Sequence, residues 1–448
     1  MTNEHRNSRR NLKRSITRFL DQTGHYYILD NVASIMPSVS NYYDSFMFRM
    51  SATLDHPVKV QLMQQALETV AARFPYFMVE LRRGAFWYYM QPLATVPTLQ
   101  ADSPWPCIGF NVHQRGQLMF RVRVAGARVA CEFHHVLTDG TGCLTFLKSL
   151  LLQYLLLTGV ECPDSGDIIL PGKQPDPAEF EDSYQKNLKR GVPEALTLPK
   201  AFHMAAPSLP SYQFRNISGR LDLAPLLDAA RQRKASLTEL LVAALMQAWL
   251  REYAAAPPKA RRRSGHNIAI EVPVNMRNHY QSRTLRNFSL NLMICLDARL
   301  GAWDFDELVG HVHHAMRLEN NEHLLAPQIV RNAGSARKFI VKIIPLFFKD
   351  IGCQMLYADL GLSRMTSSFS NVGAVQLPAS LQEHVERFDF VPAPMRMARV
   401  NASALSWKDK VYVNFGSRVQ TRSIEQRFFS QLASLGVPVA IDPLYEEQ

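Results

Sequence analysis

Two adjacent histidines, His134 and His135, are followed after three intervening residues by Asp139 and Gly140, within the run Cys131-Glu132-Phe133-His134-His135-Val136-Leu137-Thr138-Asp139-Gly140-Thr141-Gly142. Imidazole is the side chain best suited to accept a proton near neutral pH. A histidine in that role needs a fixed ring orientation and tautomer, supplied by a neighbouring carboxylate or backbone group. Asp139, across a tight turn, is placed to do this directly or to hold the loop through an arginine elsewhere. The plainer alternative is a pair of core-edge histidines with Asp139 as a turn or helix-capping residue.

The flanking elements weigh against the plainer reading. Val129, Cys131 and Phe133 alternate with Ala130 and Glu132, the period of a half-buried strand. Gly140 and Gly142 permit backbone geometry closed to other residues. From Leu144 to Leu157 most residues are apolar, which predicts a helix buried on most of its faces. Polar groups are costly where a core strand enters a core helix, so their presence there asks for a reason.

The chain has 448 residues, too many for one ordinary core, and two domains of roughly 200 residues are expected. With 47% apolar and 20% charged residues it reads as soluble and globular, and disorder is excluded. A formal charge of +11 suits an anionic partner. Nucleic acid is not expected, because no recognisable binding module accompanies the charge. The six cysteines lie far apart with no CxxC pair. No metal or disulfide framework is expected, and reduced thiols in a cytoplasm fit best. The arginine-rich residues 1–20 lack the apolar segment of a secretory signal. They read as a basic leader on the surface, with membrane or partner docking as the alternative. No uncharged apolar run approaches the roughly 20 residues of a membrane span.

In chain order, Phe46 to Leu54 reads as a strand. Val60, Met63, Leu67, Val70 and Phe74 then form one apolar helical stripe ended by Pro75. Residues 21–160 make up the first subdomain. Residues 161–210, punctuated by prolines, read as a linker or crossover with some helix near Ala178 to Arg190. Residues 211–448 repeat the style of the first half. Ser236 and Glu239 form a capping box ahead of a long helix. Pro258 to Ser264 reads as a basic loop, Asn267 to Val274 as a buried strand, and Ser403–Trp407 with Val411–Phe415 as a hairpin. Strand-plus-helix units in both halves predict mixed α/β layers.

His134-His135-Val136-Leu137-Thr138-Asp139-Gly140 resembles the HHxxxDG signature of the CoA-dependent acyltransferase superfamily. Pro273-Val274-Asn275-Met276-Arg277 resembles its PVxxR-type segment. Asn287-Phe288-Ser289 resembles the GN-type segment, with Arg286 where glycine is common. Phe369-Ser370-Asn371-Val372-Gly373 resembles the SN-x-G strand of alcohol acetyltransferases and wax ester synthases, the branch the chain looks closest to. The DFGWG motif of plant enzymes is missing.

The resemblance implies an α/β fold of two chloramphenicol-acetyltransferase-like subdomains, arranged in a V around an active-site tunnel. It implies His135 as general base, His134 in support, Gly140 leaving room for substrate, and Asp139 paired structurally with Arg277. Ser370 or Asn371 would face the oxyanion, although a polar strand end is an equal reading of both. Acyl-CoA or a carrier-protein thioester would be the co-substrate, with no tightly bound cofactor. The acceptor would be a small-molecule or lipid alcohol or amine. A condensation role would require an acyl carrier protein in trans. A catalytically silent binding protein on the same fold is the remaining class. Arg261, Arg262 and Arg263 are candidates for CoA phosphates, with a solvated basic loop as the plainer reading. Arg337 to Lys349 reads as a core-packing helix interrupted by Pro345, or as an amphipathic segment lying on a membrane and admitting an acyl chain.

Overall fold

The computed structural model describes residues 10–11, 13–16, 26–30, 32–41, 43–188, 192, 198–210, 213–334 and 343–442. The strands are β1 Tyr27–Ile28, β2 Met47–Leu54, β3 Val79–Arg83, β4 Tyr88–Pro92, β5 Leu99–Ala101, β6 Phe120–Ala125, β7 Arg128–His134, β8 Arg215–Asp222, β9 Asn267–Asn275, β10 Ser289–Asp297, β11 Ser367–Ala374, β12 Val385–Pro392, β13 Val400–Trp407, β14 Lys410–Ser417 and β15 Val439–Asp442. A five-stranded sheet has the order β12-β2-β7-β6-β5. A seven-stranded sheet has the order β10-β9-β11-β13-β14-β8-β15, and β1, β4 and β3 form a small third sheet. Parallel and antiparallel pairs mix within both large sheets.

Each large sheet carries one dominant helix. In the first half Gly140–Leu157 lays Phe146, Leu147, Leu150 and Leu151 among Cys131, Phe133 and Phe120, all buried. Phe146 sits 5.5 Å from Phe133 and 5.4 Å from Phe120, ring to ring. At 18 residues this helix is long and apolar enough to cross a membrane, but 61% of it is buried inside the protein, as its all-round apolarity predicts for a core helix. In the second half Leu237–Ala255 starts at the Ser236/Glu239 capping box and buries Leu241, Leu245 and Trp249 with Ile268, Ile270 and Val272 of β9.

Several readings of the sequence need correction. β7 is buried on both faces. Glu132 is fully enclosed, accepting from Arg49 Nε at 2.8 Å and Cys107 N at 2.9 Å and pairing with Arg121. Burial alone would raise the Glu132 carboxyl, but Arg49, Arg121 and Arg123 outweigh it and hold the group below its ordinary range. The polar half of the alternation thus marks a buried ion network. Residues 258–263 are helical, entered by Pro258 in the first turn where its missing N–H costs nothing.

The proline-punctuated crossover is tied down where it is described. Glu179 receives Arg73 Nη1 at 2.9 Å, Arg73 Nη2 at 2.6 Å and Tyr76 OH at 2.7 Å. Its carbonyl accepts from Leu285 N at 2.7 Å, and Glu181 O accepts from Thr284 Oγ1 at 2.8 Å. The crossover thereby holds the stretch Thr284–Phe288 against the first half. A second stitch is β12, which belongs to the late part of the chain yet pairs antiparallel with β2, Phe390 opposite Met50. From that position its Phe390 carbonyl accepts from Ser403 of β13, and Asp389 accepts from Asn414 Nδ2 of β14 at 3.1 Å.

Candidate active site

β7 ends at His134, and the chain turns through residues 135–139 into the helix that begins at Gly140. Asp139 is the N-cap of that helix. Its Oδ1 accepts from Thr141 N at 3.1 Å and Gly142 N at 3.4 Å, which satisfies donors a helix start leaves open. Oδ2 accepts from Phe288 N at 3.0 Å. Arg277 closes the carboxylate with two parallel bonds, Nη1 to Oδ2 at 2.9 Å and Nη2 to Oδ1 at 3.1 Å. The remaining Arg277 donors reach Thr284 O at 2.7 Å, Asn275 Oδ1 at 3.1 Å and Arg286 O at 2.6 Å. All five guanidinium N–H groups are used, and both charged side chains are only 9% exposed. Asp139 is therefore a cap and a clamp at once, joining the first half to Asn275–Phe288 of the second.

That clamp brings backbones close. Thr138 Oγ1 donates to Leu285 O at 2.5 Å. A Cβ on Gly142 would lie 2.0 Å from Thr138 Oγ1 and 2.5 Å from Leu285 O, so only glycine fits there. Gly140 is less constrained: its nearest neighbours would be Met50 Cε at 3.2 Å and Val372 Cγ2 at 3.9 Å, one from each half.

The two histidines part company. His134 is fully buried. Its Nδ1 accepts from Val136 N at 3.0 Å, and its Nε2 has no hydrogen-bond partner among the described residues. Burial, with a smaller push from His135, lowers its pKa to about 3, so the ring is neutral at every physiological pH. His135 is half-buried, with its ring 4.3 Å from that of Phe48. Burial lowers its pKa as well, while the Asp139 carboxylate, the Asn287 side chain and the Thr138 backbone pull it back up.

The main chain of His135 is held at both ends. Its N–H donates to Phe46 O at 2.8 Å, and its carbonyl accepts from Asn287 Nδ2 at 2.7 Å. Phe46 holds φ at 50°, a left-handed conformation that is strained for a bulky residue and recurs at functional sites. Asn287 Nδ2 also reaches Asp30 Oδ2 at 3.0 Å, and Asp30 Oδ1 accepts from Ala33 N at 2.8 Å. Burial pushes the Asp30 carboxyl up to about 6, against the opposing charge of Arg286.

On β11, Ser370 pairs with Ser403, and Val372, two residues on where the register shifts, comes nearest to Gly140 from that sheet. Asn371 is committed elsewhere: its Nδ2 donates to Thr238 Oγ1 at 2.8 Å, and its Oδ1 accepts from Gly373 N at 2.9 Å. Arg261, Arg262 and Arg263 lie in the short helix before β9, whereas Asn275 is the last residue of that strand and Arg277 of the clamp follows it. Eight residue steps of strand, roughly 26 Å, separate the two ends. Arg261 stacks over the Tyr253 ring at 5.6 Å.

Two residues of this region carry little signal in the sequence. Asp30 falls in a stretch without periodicity. Glu271 stands beside Ser368 on β9, and burial raises its carboxyl to about 7 against a hydrogen bond from Asn291. A lone acid within an apolar run was its only mark. No group of three or more His, Cys, Asp or Glu side chains able to hold a metal converges among the described residues.

No protein-family model matches the chain, and no curated protein matches it in sequence. Solved structures do match it in shape. The starter condensation domain of rhizomide synthetase, solved in complex with C8-CoA, superposes with a TM-score of 0.58 at 13% identity, covering 93% of this chain and 96% of that one. Trichothecene 15-O-acetyltransferase from Fusarium sporotrichioides gives 0.57 at 12% identity over 92% and 95%. Polyketide synthase associated protein 5 from Mycobacterium tuberculosis gives 0.54 at 13% over 89% and 97%. The chain thus has the mixed α/β fold of condensation domains and chloramphenicol-acetyltransferase-like enzymes over nearly its whole length. At these identities the likeness is one of fold, and the reaction has to be argued from the site.

Proposed function

We propose that this protein transfers an acyl group from a thioester donor, acyl-CoA foremost, to the hydroxyl or amine of a small-molecule or lipid acceptor. The reaction would take place in a tunnel between the two halves, with His135 as general base. The observation that carries the reading is the asymmetry of the histidine pair. His134 is sealed and neutral, while His135 is a half-buried residue on a main chain fixed from both sides. The Thr138 backbone and the Asn287 side chain favour the protonated ring, the form a general base takes once it has accepted a proton.

In the step proposed, His135 takes the acceptor proton as the acceptor oxygen or nitrogen attacks the acyl carbon. The carbonyl oxygen gains charge in the tetrahedral intermediate and calls for a hydrogen-bond donor. Ser370 is that candidate, since the Asn371 amide is spent on Thr238. Collapse of the intermediate breaks the carbon–sulfur bond, and the leaving thiolate recovers the proton from His135. Asp139 and Arg277 touch no reacting atom and act as positioning residues.

The fold alone does not select this reaction, since the epimerization domain of a tyrocidine synthetase shares it at a TM-score of 0.53. The test is thiol release from a panel of acyl-CoAs with alcohols and amines, beside His135→Ala. Turnover that the substitution abolishes supports the proposal. Silence with every CoA but turnover with a loaded carrier protein makes condensation the reaction. Equal rates in the variant remove His135 from its role, and silence with both donors leaves a binding protein on this fold.

A further inference from the structure

The helix Leu346–Leu356 is built inside out. Its polar residues face the protein and are fixed there. Asp350 accepts from Ser38 Oγ at 2.7 Å, Arg83 Nη2 at 2.9 Å and Tyr88 OH at 3.3 Å. Gln354 Nε2 donates to Ser38 O at 2.9 Å, and Lys349 Nζ donates to Phe86 O at 2.8 Å. The opposite face carries Phe347, Phe348, Ile351, Met355 and Leu356 at 61%, 63%, 45%, 69% and 55% exposure. Spacings of one, four and eight residues from Phe347 place Phe348, Ile351 and Met355 within about 100° of it, and Leu356 borders the stripe. A helix serving only the fold would turn that stripe toward the core.

The patch continues past the helix. Leu346 N donates to Ala85 O at 2.8 Å, which seats the helix on the tip of the β3–β4 hairpin. There Phe86 is exposed, and Lys349 Nζ stands 3.4 Å over the Trp87 ring. A convex apolar stripe bordered by tryptophan and lysine is the chemistry of a segment lying in a membrane interface.

We infer that this face docks on an anionic lipid surface, with Phe347, Phe348, Ile351 and Met355 entering the acyl boundary. Charge selects this occupant over a second copy of the chain. Lys349 stands at the edge of the stripe over Trp87, and the chain carries a formal charge of +11. A two-fold dimer through this face would set Lys349 and that net charge against their own copies, whereas anionic headgroups complement them. The inference stands apart from the proposed chemistry, although the two are neighbours. The helix runs on into Tyr357, whose ring lies 5.6 Å from Phe46, the residue that accepts the His135 N–H.

The test is co-sedimentation of the full chain with vesicles of phosphatidylcholine alone or with phosphatidylglycerol added. The wild type should pellet with the phosphatidylglycerol vesicles and less so as salt rises. Phe347→Ser and Phe348→Ser should each weaken partitioning about tenfold, with unchanged melting temperature. Met355→Glu, at the most exposed position of the stripe, provides a second variant that leaves the core untouched, and it too should release the protein. A wild type that stays in solution with both vesicles overturns the inference, as do variants that still pellet fully. Concentration-dependent self-association abolished by Met355→Glu also overturns it, because the face would then belong to a second copy.

Discussion

Removing the Asp139 carboxylate should cost this protein more than almost any other single change at the site. Asp139→Ala leaves the Arg277 guanidinium, 9% exposed, without its one charged partner among the described residues. Breaking one side of such a buried pair costs about 3–5 kcal/mol. The same substitution uncaps a core helix, worth about 1 kcal/mol, and strips the buried Phe288 N–H of its acceptor. These losses share one side chain and do not add fully, so about 4–6 kcal/mol is expected against a typical total of about 5–15 kcal/mol. Arg277→Ala should be milder, about 3 kcal/mol, because Asp139 would keep the N–H groups of Thr141, Gly142 and Phe288. The assay is urea unfolding of both single variants and the double variant, followed by fluorescence. Once one partner has gone, the other substitution should cost less, with a coupling of about 2–3 kcal/mol. A loss under about 1 kcal/mol for Asp139→Ala, or strict additivity in the cycle, would refute the clamp.

Four further outcomes are expected. Burial holds the His135 pKa below its usual 6.5, so kcat/KM should stay flat through neutrality with an acid limb below 6.5. An acid limb at or above 6.5 contradicts this. The same burial affects stability: with His134 lowered to about 3, the unfolded chain takes up protons below 6.5 that the folded chain does not. The contribution is therefore complete above pH 6.5 and is lost as pH falls toward 3, and His134→Gln should flatten that slope in urea titrations across pH. Gly142→Ala should destabilise by about 3 kcal/mol because the Leu285 backbone must move, whereas Gly140→Ala meets the flexible end of Met50 and should cost about 1 kcal/mol or less in thermal melts. Asn371→Ala should lower stability by about 1 kcal/mol through the lost Thr238 bond, whereas Ser370→Ala should lower kcat by about 100-fold.

What the sequence revealed follows how local the determinants are. The strand–turn–helix corner is encoded within about a dozen residues, by alternation, two glycines and an apolar run, and it could be read directly. The capping box at Ser236 and Glu239 is equally local. Glu132 was misread because alternation separates two faces but does not say what covers the polar one, and here arginines from neighbouring strands do. Asp139 and Arg277 lie 138 residues apart, and no periodicity joins them, so only the resemblance of their two motifs to those of a known superfamily pointed to a pairing. Asn371 looked equivalent to Ser370 in the sequence. Alternate residues of a strand face opposite ways, and the side chain of Asn371 goes to a helix.

The pairing of β12 with β2 has a consequence for how this chain can be made and divided. β2 is an interior strand only because residues 385–392 cover its outer side. Until the ribosome has released that late segment, β2 presents an open row of N–H and C=O groups, a template for the wrong chain. Closing the sheet joins residues more than 300 positions apart, a slow, non-local step. The first half expressed alone should therefore aggregate, and a cut in the crossover should be rescued only when both pieces are present together. Both halves of the chain must therefore fold as one unit.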